Sequence, residues 1–296
     1  MIVASRLCYV GVESSFGPHV TPQLFATAAG RFWIVTSIGS VKARSIRRRP
    51  EVGLLLRDGD RSLVVNGRAE ILSVWSPQEA ARLARQVLPA FEGVAALSIR
   101  NLPTMLGYAL DLCRMPAGAL PLDRVLVSIL PTGGALIAGN EVIERWSPDA
   151  IAHRGGRRAT VSETSGPVML PREISGLLRD RTEAAVGWMA AAGPCILPAT
   201  WDPHGGIARV PSEVMRVLRS PATSPACVTL DDSTALRPTR FRGVMLRGAG
   251  RASPGDGGSM SIELAVERAT WWKGFRTETV QNQTVGTSDR RARRAT

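Results

Sequence analysis

One stretch of this chain recurs without a gap, and this repeat limits the folds that are open to it. Residues 9–22 align with residues 185–198 at a constant offset (185 − 9 = 176). The identical pairs are Val10 and Val186, Gly11 and Gly187, Gly17 and Gly193, Pro18 and Pro194, and Pro22 and Pro198. Such a repeat predicts two related β-rich units in one polypeptide. A functional site is then expected where the two units meet.

Composition is typical of a soluble globular protein, and the length permits one large domain or two ordinary ones, of which the repeat favours two. The 296 residues can bury two cores, and 44% hydrophobic with 21% charged residues is a globular composition. No apolar run reaches the roughly 18 residues that span a bilayer, and residues 1–15 lack the signal-peptide pattern. The cysteines are scattered and form no CxxC pair: Cys8, Cys113, Cys195 and Cys227. We therefore predict a cytoplasmic protein with reduced thiols, no metal site and no membrane partner.

The net charge of +12 raises the question of nucleic-acid binding. Of 37 basic residues, only Lys42 and Lys273 are lysines, and the arginines are spread along the chain. Two short clusters, residues 47–49 and 290–294, contain several of them. Scattered arginines do not define a groove, so no dedicated nucleic-acid role is predicted.

The first half is predicted to contain short strands separated by turns. These strands are residues 6–13, 19–26, 31–37, 51–57, 62–72 and 123–130. A helix over residues 40–49 lies between the third and fourth strands. Ser76, Pro77 and Glu79 form a helix start with an N-cap, and residues 95–115 predict a further helix broken near Pro103.

The second half repeats this order. Strands are predicted at residues 184–189, 194–201, 226–230, 242–251 and 261–270, with a helix at 210–218. Pro50 and Pro225 precede equivalent strands in this alignment. The predicted division is residues 1–145, 146–180 as linker and short helix, 181–280, and 281–296 as a disordered basic tail. This strand order suits a small closed or partly closed antiparallel barrel.

At this point the residues resemble a known family. Residues 17–72 carry a strand with Val-Thr-Pro, a glycine turn, an aromatic strand ending in Thr-Ser, and then Ser-Val-Lys opening a helix. An Arg-Pro-Glu-Val strand and a Val-Asn-Gly-Arg-Ala strand follow. This pattern is similar to the pyridoxamine 5′-phosphate oxidase-like split-barrel family of flavin-binding proteins. The second half resembles it more weakly, through the repeat and Trp-Trp-Lys-Gly-Phe at residues 271–275.

The resemblance implies a fold class and a cofactor. Barrels of this family pair as homodimers with the flavin at the interface. One chain with two halves would be a mainly β pseudo-dimer of two tandem six-stranded antiparallel split barrels with short crossing helices, with further homodimerisation left open. The implied cofactor is FMN, and relatives use a deazaflavin coenzyme or bind haem.

A phosphate needs a cation, hydroxyls and backbone N–H groups near a helix start. Residues 36–42 supply them through Thr36, Ser37, Ser40 and Lys42. The plainer alternative is a capped helix with a solvated lysine.

The resemblance also implies contacts with the flavin ring. The second strand would present its backbone at His19, Val20, Thr21 and Pro22 to the polar edge of the ring. Ser62 would add a polar contact from the fifth strand. His19 is more typical of a local hydrogen-bonding residue than of a catalytic base.

The two halves differ in complementary ways. Residues 209–215, which align with residues 36–42, have lost the lysine and contain Glu213. Only the second half ends in Trp-x-Gly, so Trp272 and Lys273 are expected to reach a cofactor held by the first half. The alternative for Trp272 is simple packing at a strand end. One composite site per chain follows.

No carboxylate pair, nucleophile with a base, or metal motif stands out, so catalytic residues are not identified. A bound flavin would then perform the chemistry. The first hypothesis is a flavin- or deazaflavin-dependent oxidoreductase acting on an unknown small molecule. The second is a non-catalytic protein that binds or carries a flavin, a deazaflavin or haem, and the third is an interaction barrel for an acidic partner.

Overall fold

The computed structural model describes residues 5, 7–112, 123–146, 168–190, 193–217, 222–232, 240–274 and 276–281. Most of the predicted linker, residues 147–167, and the tail, residues 282–296, lie outside this set. Across the described residues, no helix combines the length and apolar character needed to cross a membrane.

The first half folds as a closed antiparallel barrel. Its strands are β1 (Leu7–Ser14), β2 (Gly17–Ala28), β3 (Arg31–Ser37), β4 (Glu51–Asp58), β5 (Arg61–Leu72) and β6 (Arg124–Ala138), with β7 (Glu141–Trp146) added outside the ring. The order is β3-β2-β1-β4-β5-β6-β7, and pairing of β3 with β6 closes the six-stranded ring. Apolar side chains fill the barrel, among them Phe25, Ile34, Leu54, Ile71 and Ile129.

The described residues of the first half contain four helices. They are α1 (Val41–Arg48), α2 (Pro77–Arg85), α3 (Val87–Arg100) and α4 (Leu102–Leu112). The hydroxyl of Ser76 caps α2 as predicted, accepting from the Glu79 N–H at 3.2 Å. The three helices α2 to α4 are inserted between β5 and β6.

The second half has the same strand order. Its strands are β8 (Glu183–Ala190), β9 (Gly193–Asp202), β10 (Ile207–Pro211), β11 (Thr223–Asp232), β12 (Arg242–Pro254), β13 (Ser259–Lys273) and β14 (Arg276–Gln281). They run β10-β9-β8-β11-β12-β13-β14, and β10 pairs with β13. Helix α5 (Arg172–Asp180) precedes β8 and α6 (Ser212–Val217) follows β10. The predicted mainly β fold class is confirmed.

The two barrels meet through reciprocal contacts. A Cβ added to Gly11 would lie 3.0 Å from the Ile196 side chain, and a Cβ added to Gly187 would lie 2.6 Å from the Val20 side chain. Gly187 lies 176 positions after Gly11, and Ile196 lies 176 positions after Val20. The contact of Gly187 with Val20 therefore repeats the contact of Gly11 with Ile196 with the two barrels exchanged, as in a twofold-symmetric interface. The repeated glycines lie where the backbone of each barrel must approach the other closely.

Several predicted boundaries were wrong. The sixth strand continues to Ala138 through a bulge at Thr132, opposite Asn66 and Gly67, and this extension pairs with the unpredicted β7. The helix predicted from residue 95 begins earlier, at Val87, whereas its predicted break near Pro103 is confirmed at Asn101. In the second half, β10 was missed.

Candidate functional site

A cavity of about 910 Å³ is lined by side chains of both barrels. From the first half come β2, the start of α1, and α3 with α4. From the second half come the end of β11, β12, β13 and β14. Among the predicted site residues, the lining includes His19, Thr21, Pro22, Ser40, Lys42 and Trp272.

Lys42 is a buried cation at one wall of this cavity. Its side chain is only 5% exposed, and Nζ donates a hydrogen bond to the Thr21 hydroxyl. Among the described residues it forms no salt bridge. Burial lowers the pKa of Lys42 to about 7. A negatively charged ligand group would stabilise the protonated form.

Arg247 on β12 is the matching cation from the second barrel. It is 5% exposed, and one terminal nitrogen donates to the Thr270 hydroxyl at 3.0 Å. Its Nε has no hydrogen-bond partner among the described residues. Burial lowers the pKa of Arg247, with a further contribution from Arg268. A guanidinium still remains charged, so the cavity contains an unneutralised cation.

His19 lies under the influence of both cations. Burial, together with the positive charges of Lys42 and Arg247, lowers the pKa of His19 to about 3. The imidazole is therefore neutral at ordinary pH. Its Nδ1 is buried without a hydrogen-bond partner in the described part of the chain. An unpaired ring nitrogen at a cavity wall is a ready contact for a bound ligand.

The start of α1 is held by hydroxyls. Ser40 is the N-cap, and its Oγ accepts from the Ala43 N–H at 3.0 Å and lies 3.0 Å from the Thr36 hydroxyl. Thr36 is thus behind Ser40 and outside the cavity lining. Ser37 donates to Asp123 and is also outside the lining. Of the three hydroxyls predicted to bind the phosphate, those of Thr36, Ser37 and Ser40, only the Ser40 hydroxyl belongs to a residue that lines the cavity.

Three other predicted site residues lie elsewhere. Val20 is fully buried between the barrels, where its carbonyl accepts from Thr229 at 3.0 Å. Ser62 lines a small depression near the β4–β5 turn. Lys273 pairs with Glu173 on the outside of the second barrel.

Trp272 brings the last strands of the second barrel to the cavity. It stacks across Gly243 on β12, where an added Cβ would lie 2.2 Å from the indole. On β14, Thr277 and Thr279 also line the cavity. The Thr279 hydroxyl lies 2.9 Å from that of Thr270, which holds Arg247.

Two carboxylates line the cavity but are engaged by the protein. Asp231 accepts from the Tyr9 hydroxyl at 2.6 Å, a hydrogen bond that joins the two barrels. Asp232 accepts from Arg242 at 3.1 Å and also pairs with Arg181. Burial raises the pKa of Tyr9, and the charge of Asp231 raises it further, so Tyr9 stays protonated.

The corresponding position in the second barrel is closed. Lys42 is the second residue of α1, and Glu213 is the second residue of α6. The Glu213 carboxylate accepts from the Val142 N–H at 3.0 Å and pairs with Arg145 at 3.2 Å. An internal carboxylate thus occupies the helix start where the first barrel has a buried cation. Among the described residues, no cluster of three metal-ligating side chains is found.

Sequence reasoning missed Arg247 and the polar residues of β14. Arg247 stands within Val-Met-Leu-Arg-Gly-Ala-Gly, and an arginine inside an apolar strand pattern is unusual enough to mark a buried charge. The residues of β14 carry no comparable signal, because the strand is largely exposed.

The arrangement fits a phosphate-bearing aromatic cofactor. Lys42 and Arg247 offer two buried positive charges, Ser40 a hydroxyl, and His19 a neutral ring nitrogen. The volume is within the roughly 300–1,000 Å³ of small-molecule sites. The geometry can bind an anion.

Residues 8–100 match the family model of pyridoxamine 5′-phosphate oxidase, so the predicted resemblance is confirmed for the first barrel. No curated protein matches the chain. Among solved structures, a conserved hypothetical protein from Mycobacterium tuberculosis is 25% identical, with a TM-score of 0.32 over 47% of this chain and 80% of its own. A protein titled FAD-binding from Mesorhizobium loti is 20% identical, with a TM-score of 0.32 over 46% and 87%. A protein titled F420 reductase is 22% identical, with a TM-score of 0.29 over 46% and 92%.

Proposed function

We propose that this chain, whose residues 8–100 match the pyridoxamine 5′-phosphate oxidase family, binds a phosphate-bearing flavin or deazaflavin in the composite cavity. The observation that carries the proposal is the pair of buried cations, Lys42 and Arg247, which come from opposite barrels and lack carboxylate partners among the described residues. Burying an unpaired charge is unfavourable. A ligand anion would offset that cost, and FMN is the form of cofactor that we favour.

We assign the cofactor contacts residue by residue. Lys42 and Ser40 bind the phosphate, assisted by the Thr21 hydroxyl that positions the ammonium group. His19 and Trp272 contact the remainder of the cofactor. Arg247 is the second cation, held in place by Thr270.

We propose that the chain is an oxidoreductase for a small organic molecule. A bound flavin or deazaflavin would supply hydride or electron transfer. The protein would exclude water, hold the substrate beside the cofactor and keep Arg247 charged near developing negative charge. The two barrels, which we assign to residues 1–145 and 181–280, would take the roles of the two subunits of a dimer.

The test is titration of the purified full-length chain with FMN and with a deazaflavin coenzyme, followed by absorbance and fluorescence. A saturable spectral change that Lys42→Glu abolishes supports the proposal, whereas no change with either compound refutes cofactor binding. The next measurement is reoxidation of the reduced complex by candidate acceptors. Tight binding without turnover would refute the oxidoreductase assignment and favour a carrier. Haem is tested by the same titration.

A further inference from the structure

We propose that α3 and α4 form a separate compartment of the cavity, which binds an uncharged, largely apolar molecule carrying a hydroxyl or carbonyl group. The further proposal that this molecule is the substrate rests on the proposed function, whereas the proposal that the compartment binds it does not. We call this wall the helical roof, and its residues are Val94, Leu97, Ser98, Asn101, Thr104, Met105 and Tyr108.

Charge is divided unevenly over the cavity. The cationic lining residues all belong to the barrels and to α1: Lys42, Arg124, Arg242 and Arg247. The helical roof has no ionisable residue other than Tyr108. Arg100, although on α3, stacks over the Phe25 ring at 4.6 Å from its centroid and is outside the lining. The cationic walls and the uncharged wall of the cavity are therefore chemically distinct.

The helical roof is fixed to the first barrel. Leu97 packs in a cluster with Trp33 and Leu72. The amide of Asn101 donates to the carbonyl of Phe25 at 3.2 Å and to that of Leu97 at 2.9 Å. A wall with such support is already formed before a ligand binds.

The second barrel closes without an equivalent of the helical roof. Strand β12 ends at Pro254 and β13 begins at Ser259, so a short turn replaces the whole insertion between β5 and β6. Because this barrel forms its six-stranded ring without the inserted helices, closure of the ring does not require them. In the first barrel they cover Trp33 and Leu72 and in addition supply a wall of the cavity.

The lining of the helical roof determines the ligand class. Leu97, Met105 and Val94 offer apolar surface, and an ionic group placed against them would lose its hydration without compensation. The Asn101 amide nitrogen is already used by backbone carbonyls. The hydroxyls of Ser98 and Thr104 are left as groups that can contact a hydroxyl or carbonyl oxygen of the ligand.

The probe for this compartment is N-phenyl-1-naphthylamine, an uncharged apolar fluorophore, titrated into the full-length chain. Thr104→Trp should fill the compartment and weaken probe binding by about tenfold or more, while FMN affinity changes less than about threefold. Ser98→Phe is the second variant, used if Thr104→Trp unfolds. Lys42→Glu should show the opposite pattern, with FMN binding lost and the probe retained.

Leu106→Ser is the matched control, because Leu106 is on α4 but is 58% exposed and outside the lining. It should leave probe binding unchanged. Probe binding that falls in Leu106→Ser, or that ignores both compartment-filling variants, would overturn the inference. A wild-type chain that binds the probe as expected but no cofactor would refute the proposed function and leave the compartment supported.

Discussion

At the scale of single residues, the site is organised around Lys42, whose burial in the folded chain disfavours its charged form. Burial lowers the pKa of Lys42 to about 7 in the folded chain, against an ordinary value of 10.5. Between these two pH values the unfolded chain binds the extra proton, so this residue makes folding more favourable as pH rises through that window. At neutral pH its burial opposes folding, and binding of an anion relieves the opposition.

We predict that Lys42→Met separates stability from binding. The variant should lose FMN affinity by about thirtyfold or more, since removal of one partner from a buried charged contact is worth about 2 kcal/mol or more. The ligand-free chain should nonetheless melt at a higher temperature near pH 7, because the buried charge is gone. Calorimetry and an FMN titration measure both quantities. Arg44→Met, an exposed change on the same helix, is the control and should alter neither.

The same lysine predicts a pH dependence of binding. FMN affinity should be highest between about pH 6 and 7, and should fall above pH 7 by up to about tenfold per pH unit, because binding then requires uptake of a proton by Lys42. The phosphate itself does not cause this fall, since its second pKa is near 6. Lys42→Arg keeps its charge and should flatten the profile. A flat profile in the wild-type chain would contradict the assignment.

At the scale of elements, β14 completes a cavity whose main cationic walls are elsewhere. A chain ending after Gln281 keeps Thr277 and Thr279, and should bind FMN as the full chain does. A chain ending after Gly274 lacks both residues and the strand that covers Trp272, and should bind at least about tenfold more weakly. Equal affinity of the two truncated chains would show that β14 is not part of the site.

The sequence predicted those elements whose local patterns were strong. Residues 31–37 form the predicted strand because an aromatic and β-branched run sits between a glycine turn and the capped start of α1. Residues 207–211 were missed because their strand is short and is followed directly by α6; it pairs with its neighbour β9 and with the distant β13. The same contrast holds for the site. A local sequence pattern predicts Lys42, whereas Arg247 reaches the cavity only through the folded arrangement of the two barrels.

At the scale of the whole molecule, the two barrels are packed too closely for side chains at some positions. Gly53 on β4 is the tightest of these contacts between the barrels, since an added Cβ would lie 2.4 Å from the Pro194 carbonyl oxygen. We predict that Gly53→Ala lowers the free energy of unfolding by about 1–3 kcal/mol through overpacking. Unfolding in urea measures this change in the free energy of unfolding. Gly176→Ala on α5, where the nearest atom is 4.0 Å away, is the control and should not destabilise the chain.

The asymmetry of the paired barrels predicts how many cofactors the chain binds. The first helix start has Lys42 facing a cavity shared with Arg247, whereas the second has Glu213 already joined to Arg145 and to the Val142 N–H. A phosphate at the second position would meet a carboxylate, and like charges repel. Isothermal titration calorimetry should therefore give one FMN per chain, and Glu213→Gln should leave that number unchanged because Gln brings no cation. Two sites per chain would show that the second barrel binds independently, and one site per two chains would place the cofactor between molecules.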